Sequence, residues 1–380
     1  MDILKGIKVI ELASVLAGPS VGQFFAECGA EVIKIENPLT GGDVTRSWKL
    51  PTEDTENSVS AYFSAINWGK KSIALNIYDK EDKNKLYKEI ETADIVLASY
   101  KKGDAEKLEV DYQTLKKLNS KLIYGHITGY GTDSYKVGYD ALIQAETGFV
   151  FMNGEKPNEN DTRIEGTKMP VALIDILAAH QLKEGLLVAL LKREKEGNNF
   201  EGSYVTVSLY ESALASLANQ ATNWLNAGHS PQKMGSEHPN IFPYGTIFQT
   251  QTDSLMLVVG SDKQFSVLCD VLQIEKVAKD ERFKTNVNRV KNREILRPIL
   301  ADAFLQTESK EVLKLLEENN VPAGSVNDIP KAFENKKAQE LILQDENKKI
   351  AGVKNFVARF DNQPHNLNLD APPLFEKKLK

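Results

Sequence analysis

The sequence predicts an α/β fold built on a mostly parallel sheet, with a second, smaller domain. Two observations carry that expectation. Strand-like apolar runs alternate with helical segments over residues 8–127, and such alternation implies parallel strands with helices on both faces. The chain has 380 residues, which at a usual ~100–200 residues per domain is enough for two cores.

Lys8 to Leu12 reads as a first strand, Ala17-Gly18-Pro19-Ser20 as a turn, and Val21 to Cys28 as a helix that Gly29 ends. Ala30 to Ile35 forms the second strand and stops at Glu36. The pattern repeats at Ser72 to Asn76, at Asp94 to Ala98 and at Leu122 to Ile127. Ligands on such sheets sit outside the carboxyl ends of the strands. The loops Ser14 to Pro19, Ser99 to Gly103 and Thr128 to Gly131 are therefore expected to line one crevice. Downstream come an apolar helix over Asp175–Lys195, a strand over Val205–Leu209 and a second apolar helix over Glu211–Asn226. Gly228 to Tyr244, rich in Gly, Pro, His and Asn, reads as a long functional loop or a domain crossing. Thr246 to Gly260 reads as a hairpin turning at Gln251 to Ser254; helices follow to Asn319, Val321 to Gly324 is a break, and the tail is extended.

Composition excludes several classes. With 41% apolar and 26% charged residues and no low-complexity tract, disorder is a poor description. A net charge of −6 argues against generic nucleic-acid binding. Cys28 and Cys269 lie far apart without a CxxC or Cys/His spacing, which excludes a disulfide scaffold or zinc ribbon and points to a reducing, cytoplasmic compartment. The first six residues carry neither a basic leader nor an apolar run, so no signal peptide is expected. The uncharged stretch 212–232 holds Asn219, Gln220, Asn223 and Asn226, which suits a buried helix better than a membrane span.

The opening βαβ unit raises the possibility of a dinucleotide site, but Ala13-Ser14-Val15-Leu16-Ala17-Gly18-Pro19 lacks the Gly-x-Gly-x-x-Gly turn. No Gly-x-Ser-x-Gly elbow appears, which argues against a hydrolase triad. His126, His180, His229, His238 and His365 show no metal-ligand spacing, and no metal is expected. His126 and His180 read as strand and helix residues, and His238 lies in a loop where substrate contact is open. Lys70, Lys71, Lys101, Lys102, Lys107 and Arg46 are candidates for holding phosphates, though exposed lysines are ordinarily solvated surface.

The sharpest feature is Asp175, one carboxylate in the apolar run Met169 to Ala179. It suits an N-cap, for which Asp is preferred. It equally suits a nucleophile: burial raises the carboxylate pKa, while a helix N-terminus helps to keep it ionised. The two are compatible.

Together these segments resemble the class III CoA-transferase family, which includes formyl-CoA and carnitine CoA-transferases and the related α-methylacyl-CoA racemases. The carriers are Gly6 to Leu12, Ala17-Gly18-Pro19, Gly29 to Glu36, Gly41-Gly42-Asp43, Asn67 to Asn76, Thr128 to Gly131, Gly138-Tyr139-Asp140 and Pro170 to Asp175. His238 to Tyr244, Arg282-Phe283 and Val321 to Gly324 continue them. The resemblance implies a large Rossmann-like CoA-binding domain over residues 1–200, linking helices over 201–227, a small α+β domain over 228–325, and a C-terminal segment, 326–380, returning to the large domain. It implies an interlocked homodimer, with acyl-CoA and carboxylic acid as substrates, no permanently bound cofactor, and no nucleic-acid or membrane partner.

The resemblance further implies that Asp175 is the nucleophile of CoA transfer. It would attack the donor thioester to give a mixed anhydride, then carry CoA as an aspartyl thioester until the acceptor carboxylate takes it. Amides near Asp175 or in the Gly235 loop are candidate oxyanion donors. Implied CoA contacts are Leu16, Ala17, Asn37, Ile66, Asn67, Trp68, Gly69, Ser99, Tyr100, Lys101, Lys107, Val137, Gly138, Tyr139 and Asp140. Three positions depart from the family pattern. Asn37 stands where arginine is common, the usual Leu-Gly-Glu-His ending becomes Leu374-Phe375-Glu376, and Leu16 replaces the Gln of formyl-CoA transferases, which argues against formyl-CoA or oxalate. The racemase alternative needs a base and an acid on opposite faces. Its histidine is absent from Gly138-Tyr139-Asp140, Tyr139 is a weak base, and His126 is the other candidate. A further alternative is a CoA-binding protein without turnover, which has no need of Asp175.

Overall fold

The computed structural model describes residues 3–155, 166–347, 349–364 and 369–375; His365 and Glu376 lie outside them. The chain divides into two compact units. Residues 1–147, 170–218 and 337–380 form the first, and 148–169 with 219–336 form the second.

The first unit is built on a six-stranded sheet in the order β3-β2-β1-β4-β5-β6. The strands are β1 (Lys8–Glu11), β2 (Glu31–Glu36), β3 (Lys70–Ala74), β4 (Ile95–Ala98), β5 (Ile123–Thr128) and β6 (Ser203–Ser208). Every pairing is parallel. Alternating side chains serve opposite faces. Val9, Val32 and Leu97 pack against helix α1 (Ala17–Glu27) and the long helix Leu173–Glu196, whereas Ile10, Ile33 and Val96 face the helices that carry Leu86, Ile90 and Leu115. The strand order reverses between β1 and β4, where sheets of this kind open a crevice at their carboxyl edge.

The segment 201–227 is not purely helical. It opens with β6, which extends the sheet by pairing Ile123–Thr128 with Ser203–Ser208. The single helix expected over Glu211–Asn226 is two, Leu209–Ala215 and Asn219–Ala227. The interruption contains Ala218 at φ 47°, a left-handed conformation that no helix continues through. Ser208 caps the first of the pair through the Glu211 N–H, and its hydroxyl donates to the Glu211 carboxylate.

One buried charge network sits under the sheet's carboxyl edge. Glu11 accepts from Lys34 at 2.9 Å and from Lys70 at 2.8 Å, and Lys34 also reaches Asp43 at 2.9 Å. The remaining ammonium protons go to the carbonyls of Ala13 and Pro19 and to Asn67 Oδ1. Room for the Glu11 carboxylate exists because residue 22 of α1 is glycine; a Cβ there would overlap Glu11 Oε2. The C-terminal segment is tied into the same unit. Glu27 accepts from Asn355 N and Phe356 N, Gly69 N donates to Asp370 O, and Arg46 donates to Pro373 O.

The second unit holds an antiparallel sheet, β7 (Tyr244–Gln249), β8 (Ser254–Val258) and β9 (Ala323–Ser325), in that order. The hairpin expected over Thr246–Gly260 is present, and the break at 321–324 runs into the sheet's third strand. Its core joins Phe242, Phe248, Leu257, Phe265, Leu300 and Phe304. Arg289, fully buried, holds the carbonyls of Phe242 and Phe283 and pairs with Asp262. Among the described residues no helix is long and apolar enough to cross a membrane. Cys28 and Cys269 are both free and buried, and burial pushes each thiol up to about 12.

Candidate active site

Asp175 stands in the first turn of the long helix, half-buried. It is not the N-cap: Ala172 holds that position, without a side-chain cap of its own. The cap comes from far away in sequence. Asp140 Oδ2 accepts the N–H of Ile174 at 2.7 Å and that of Asp175 at 3.4 Å, while Gln144 Nε2 donates to Asp140 Oδ1 at 2.6 Å. These first-turn amides, expected as oxyanion donors, are directed at Asp140 instead. Asp140 itself begins the short helix Asp140–Glu146 and is brought there by a glycine crossing. The backbones of Gly129 and Gly138 touch so closely that a Cβ on either would overlap the other.

The pair has an electrostatic consequence. Burial, with the neighbouring Asp140 charge adding to it, raises Asp175 to about 7. The helix N-terminus does not offset this, because its amides face Asp140. Asp175 is thus a poorly hydrated carboxyl that titrates near neutrality, as a nucleophile or acid–base group requires. Tyr62 feels the pair: burial raises its hydroxyl, and the charges of Asp175, Asp140 and Asp43 raise it further. Its ring meets Trp48 edge to face at 5.0 Å. Tyr62 and Trp48 were not singled out from sequence, because the segment 41–64 carries no clear periodicity.

A cleft of about 1230 Å³ opens along the carboxyl edge of β1 to β4. Leu12, Ala13 and Ser14 follow β1, Asn37 and Thr40 to Val44 follow β2, Leu75, Ile77 and Tyr78 follow β3, and Tyr100 follows β4. Lys49, Asn57, Ser58 and Phe375 close it. Asp175 is not among the lining residues. Asp43, which lines the cleft, raises the Tyr62 hydroxyl in the same sense as Asp140 and Asp175.

Of the anticipated CoA contacts, Asn37 and Tyr100 line the cleft. Leu16 and Ala17 begin α1 just beyond the lining residue Ser14, whose N–H is held by Ser99 Oγ. Lys101 and Lys107 are exposed near Asp104, at 3.8 and 3.7 Å. Val137 and Tyr139 are exposed, and Gly138, Tyr139 and Asp140 gather at the Asp175 helix. Ile66, Asn67 and Trp68 are buried instead; Asn67 bonds Phe63 O and Lys70, Trp68 N donates to Gln23, and Gly69 N to Asp370 O. Lys70 and Arg46 are ion-paired inside the protein with Glu11 and Glu36. Leu75, Ile77 and Tyr78 were missed, although their place just after β3 is where a parallel sheet puts ligand contacts. His126 is buried, with its ring nitrogens on Tyr204 OH and Tyr100 O, and burial lowers its pKa.

The turn before α1 is under strain. Val15 has φ 71°, a left-handed conformation that a β-branched residue rarely adopts and that costs about 1–3 kcal/mol.

Comparison with known proteins agrees with this arrangement. The model of CoA-transferase family III matches residues 4–377. The chain is 39% identical to succinate–glutarate CoA-transferase of Agrobacterium fabrum, over 88% of this chain and 83% of that one. It is 32% identical to acetyl-CoA:oxalate CoA-transferase of Acetobacter aceti, over 86% and 81%. The crystal structure of a CAIB/BAIF family protein from Brucella suis superposes with a TM-score of 0.84 at 35% identity, covering 98% of this chain and 96% of that one. On the family model that spans residues 4–377 and a relative 39% identical over 88% of this chain, the chain belongs to CoA-transferase family III.

Proposed function

We propose that this CoA-transferase moves CoA from an acyl-CoA donor to a carboxylic acid through covalent chemistry at Asp175. The observation that carries the mechanism is the carboxyl itself: half-buried, raised to about 7 by burial and by Asp140, at the start of a helix that Asp140 caps, in the unit that holds the carboxyl-edge cleft.

The Asp175 carboxylate attacks the donor thioester carbon, forming a mixed anhydride and releasing CoA thiolate. The thiolate attacks the aspartyl carbonyl, which expels the donor carboxylate and leaves an aspartyl-CoA thioester. The acceptor carboxylate then attacks that thioester, giving a second anhydride and thiolate again. Attack of the thiolate on the acceptor acyl carbon yields the product thioester and restores Asp175. Every step exchanges one acyl–oxygen or acyl–sulfur bond for another, so neither water nor a redox partner takes part.

The cleft suits CoA. Leu75, Ile77 and Tyr78 offer apolar lining for the adenine beside the further lining residues Asn37 and Tyr100, and Lys101 and Lys107, outside the lining and near Asp104, are the exposed cations we assign to phosphates. The similar proteins named above act on small dicarboxylates, and Leu16 disfavours the oxalate pair, so a succinate–glutarate exchange is the favoured chemistry. Leu187, Val188 and Leu191 leave an apolar stripe exposed on the long helix, which supports the homodimer. The buried, unreactive thiols suit a cytoplasmic protein. His126, bonded at both ring nitrogens, is badly placed to be a racemase base.

The test is to incubate the protein with succinyl-CoA and glutarate and separate the CoA esters by chromatography. Glutaryl-CoA should form. Exchange of α-deuterium without transfer would overturn the assignment in favour of the racemase, and binding without either reaction in favour of an inactive binder.

A further inference from the structure

Three consecutive backbone groups of the strained turn are each tied to a side chain from a different segment. Ala13 O accepts from Lys34 Nζ at 2.8 Å, Ser14 N donates to Ser99 Oγ at 3.3 Å, and Val15 N donates to Asp43 Oδ2 at 3.3 Å. The Asp43 carboxylate is itself fixed. Oδ2 lies 2.9 Å from Lys34 Nζ, and Oδ1 accepts from Thr45 N at 3.0 Å and from Thr45 Oγ1 at 2.8 Å. Such over-determination is what allows a strained conformation to persist. Ala13, Ser14 and Asp43 are all lining residues of the cleft.

We propose that Asp43 is a positioning residue for acyl-CoA binding: locked by Lys34 and Thr45, it holds the Ala13–Val15 turn in the left-handed shape that forms one wall of the cleft. This rests on the assignment of the cleft to CoA. Released from Asp43, Val15 relaxes towards negative φ, and only a fraction of molecules keeps the wall in its binding shape. If that fraction is one in ten, the apparent Kd for CoA rises about tenfold. Asparagine cannot replace Asp43, because its single carbonyl oxygen satisfies either Thr45 or the Val15–Lys34 side and turns an amide donor towards the other.

The test is a double-mutant cycle in the full-length protein, with CoA binding read by calorimetry and folding by thermal melting. Asp43→Asn should weaken CoA binding about tenfold. Glycine populates positive φ without penalty. In a Val15→Gly background, therefore, the turn needs no clamp and Asp43→Asn should weaken binding less than about threefold. If Asp43→Asn fails to fold, Thr45→Val runs the same cycle, since it removes one bond to Asp43 and leaves the Lys34 pair intact. Equal weakening in both backgrounds would mean a general structural role and would overturn the proposal alone. No CoA binding by the wild-type chain would overturn the site assignment and this role with it.

Discussion

Asp140 Oδ2 lies 2.7 Å from the backbone nitrogen of Ile174, so the helix that carries Asp175 in its first turn is capped by a carboxylate 34 residues before Ile174 in the chain. That one bond places two carboxyl groups together at a helix start. It also takes up the donors that would otherwise favour Asp175 in its charged form.

The pH dependence follows from the pair. Asp175 must be ionised to attack, and its pKa is about 7, so kcat/KM should fall as pH drops below neutrality. Asp140→Asn removes a like charge and should move that acid limb to lower pH; burial, the larger cause, keeps it above the ordinary carboxylate range. A limb unmoved in Asp140→Asn would show that Asp175 does not set it. The stability effect has the opposite sense. A carboxyl raised on folding stabilises the native state below its unfolded pKa, and that contribution is lost as pH rises through about 7. Asp175→Asn should flatten the melting temperature across that window.

Gly22 is the point where α1 makes room for the Glu11 carboxylate between Lys34 and Lys70. A methyl group there must either bend the helix or pull Glu11 off its partners. Gly22→Ala should destabilise the fold by about 3 kcal/mol, measured by denaturant unfolding. A change within experimental scatter would mean that the network relaxes without cost.

Gly138 tests how closely Asp140 must be placed. Its contact with Gly129 is backbone on backbone, two residues before Asp140. Gly138→Ala should separate those strands of chain and shift Asp140, lowering kcat/KM about a hundredfold, as misplacement by an ångström can. Wild-type activity in Gly138→Ala would show that the crossing does not fix the site.

Much of the first unit was legible because its signals are local. The βαβ opening shows in the apolar run Lys8 to Leu12 and in Gly29, which has φ 93° at the end of α1. Asp175 was legible because a lone carboxylate in an apolar run is conspicuous. The remaining site features depend on contacts distant in sequence. Asp140 as the cap, the influence of Asp175 on Tyr62, and the burial of Ile66 to Trp68 all arise from pairings that no local period encodes. The left-handed Val15 runs against its own propensity and sits in a turn bonded by Lys34, Ser99 and Asp43, all distant in sequence.

The most direct measurement is mass spectrometry of the peptide containing Asp175 after a short incubation with acyl-CoA and rapid quenching. An acyl or CoA adduct on that side chain is the predicted result, absent from Asp175→Ala, whose turnover should fall by about three orders of magnitude or more. Transfer by Asp175→Ala at the wild-type rate, or an adduct at a different residue, would contradict nucleophilic catalysis at this position.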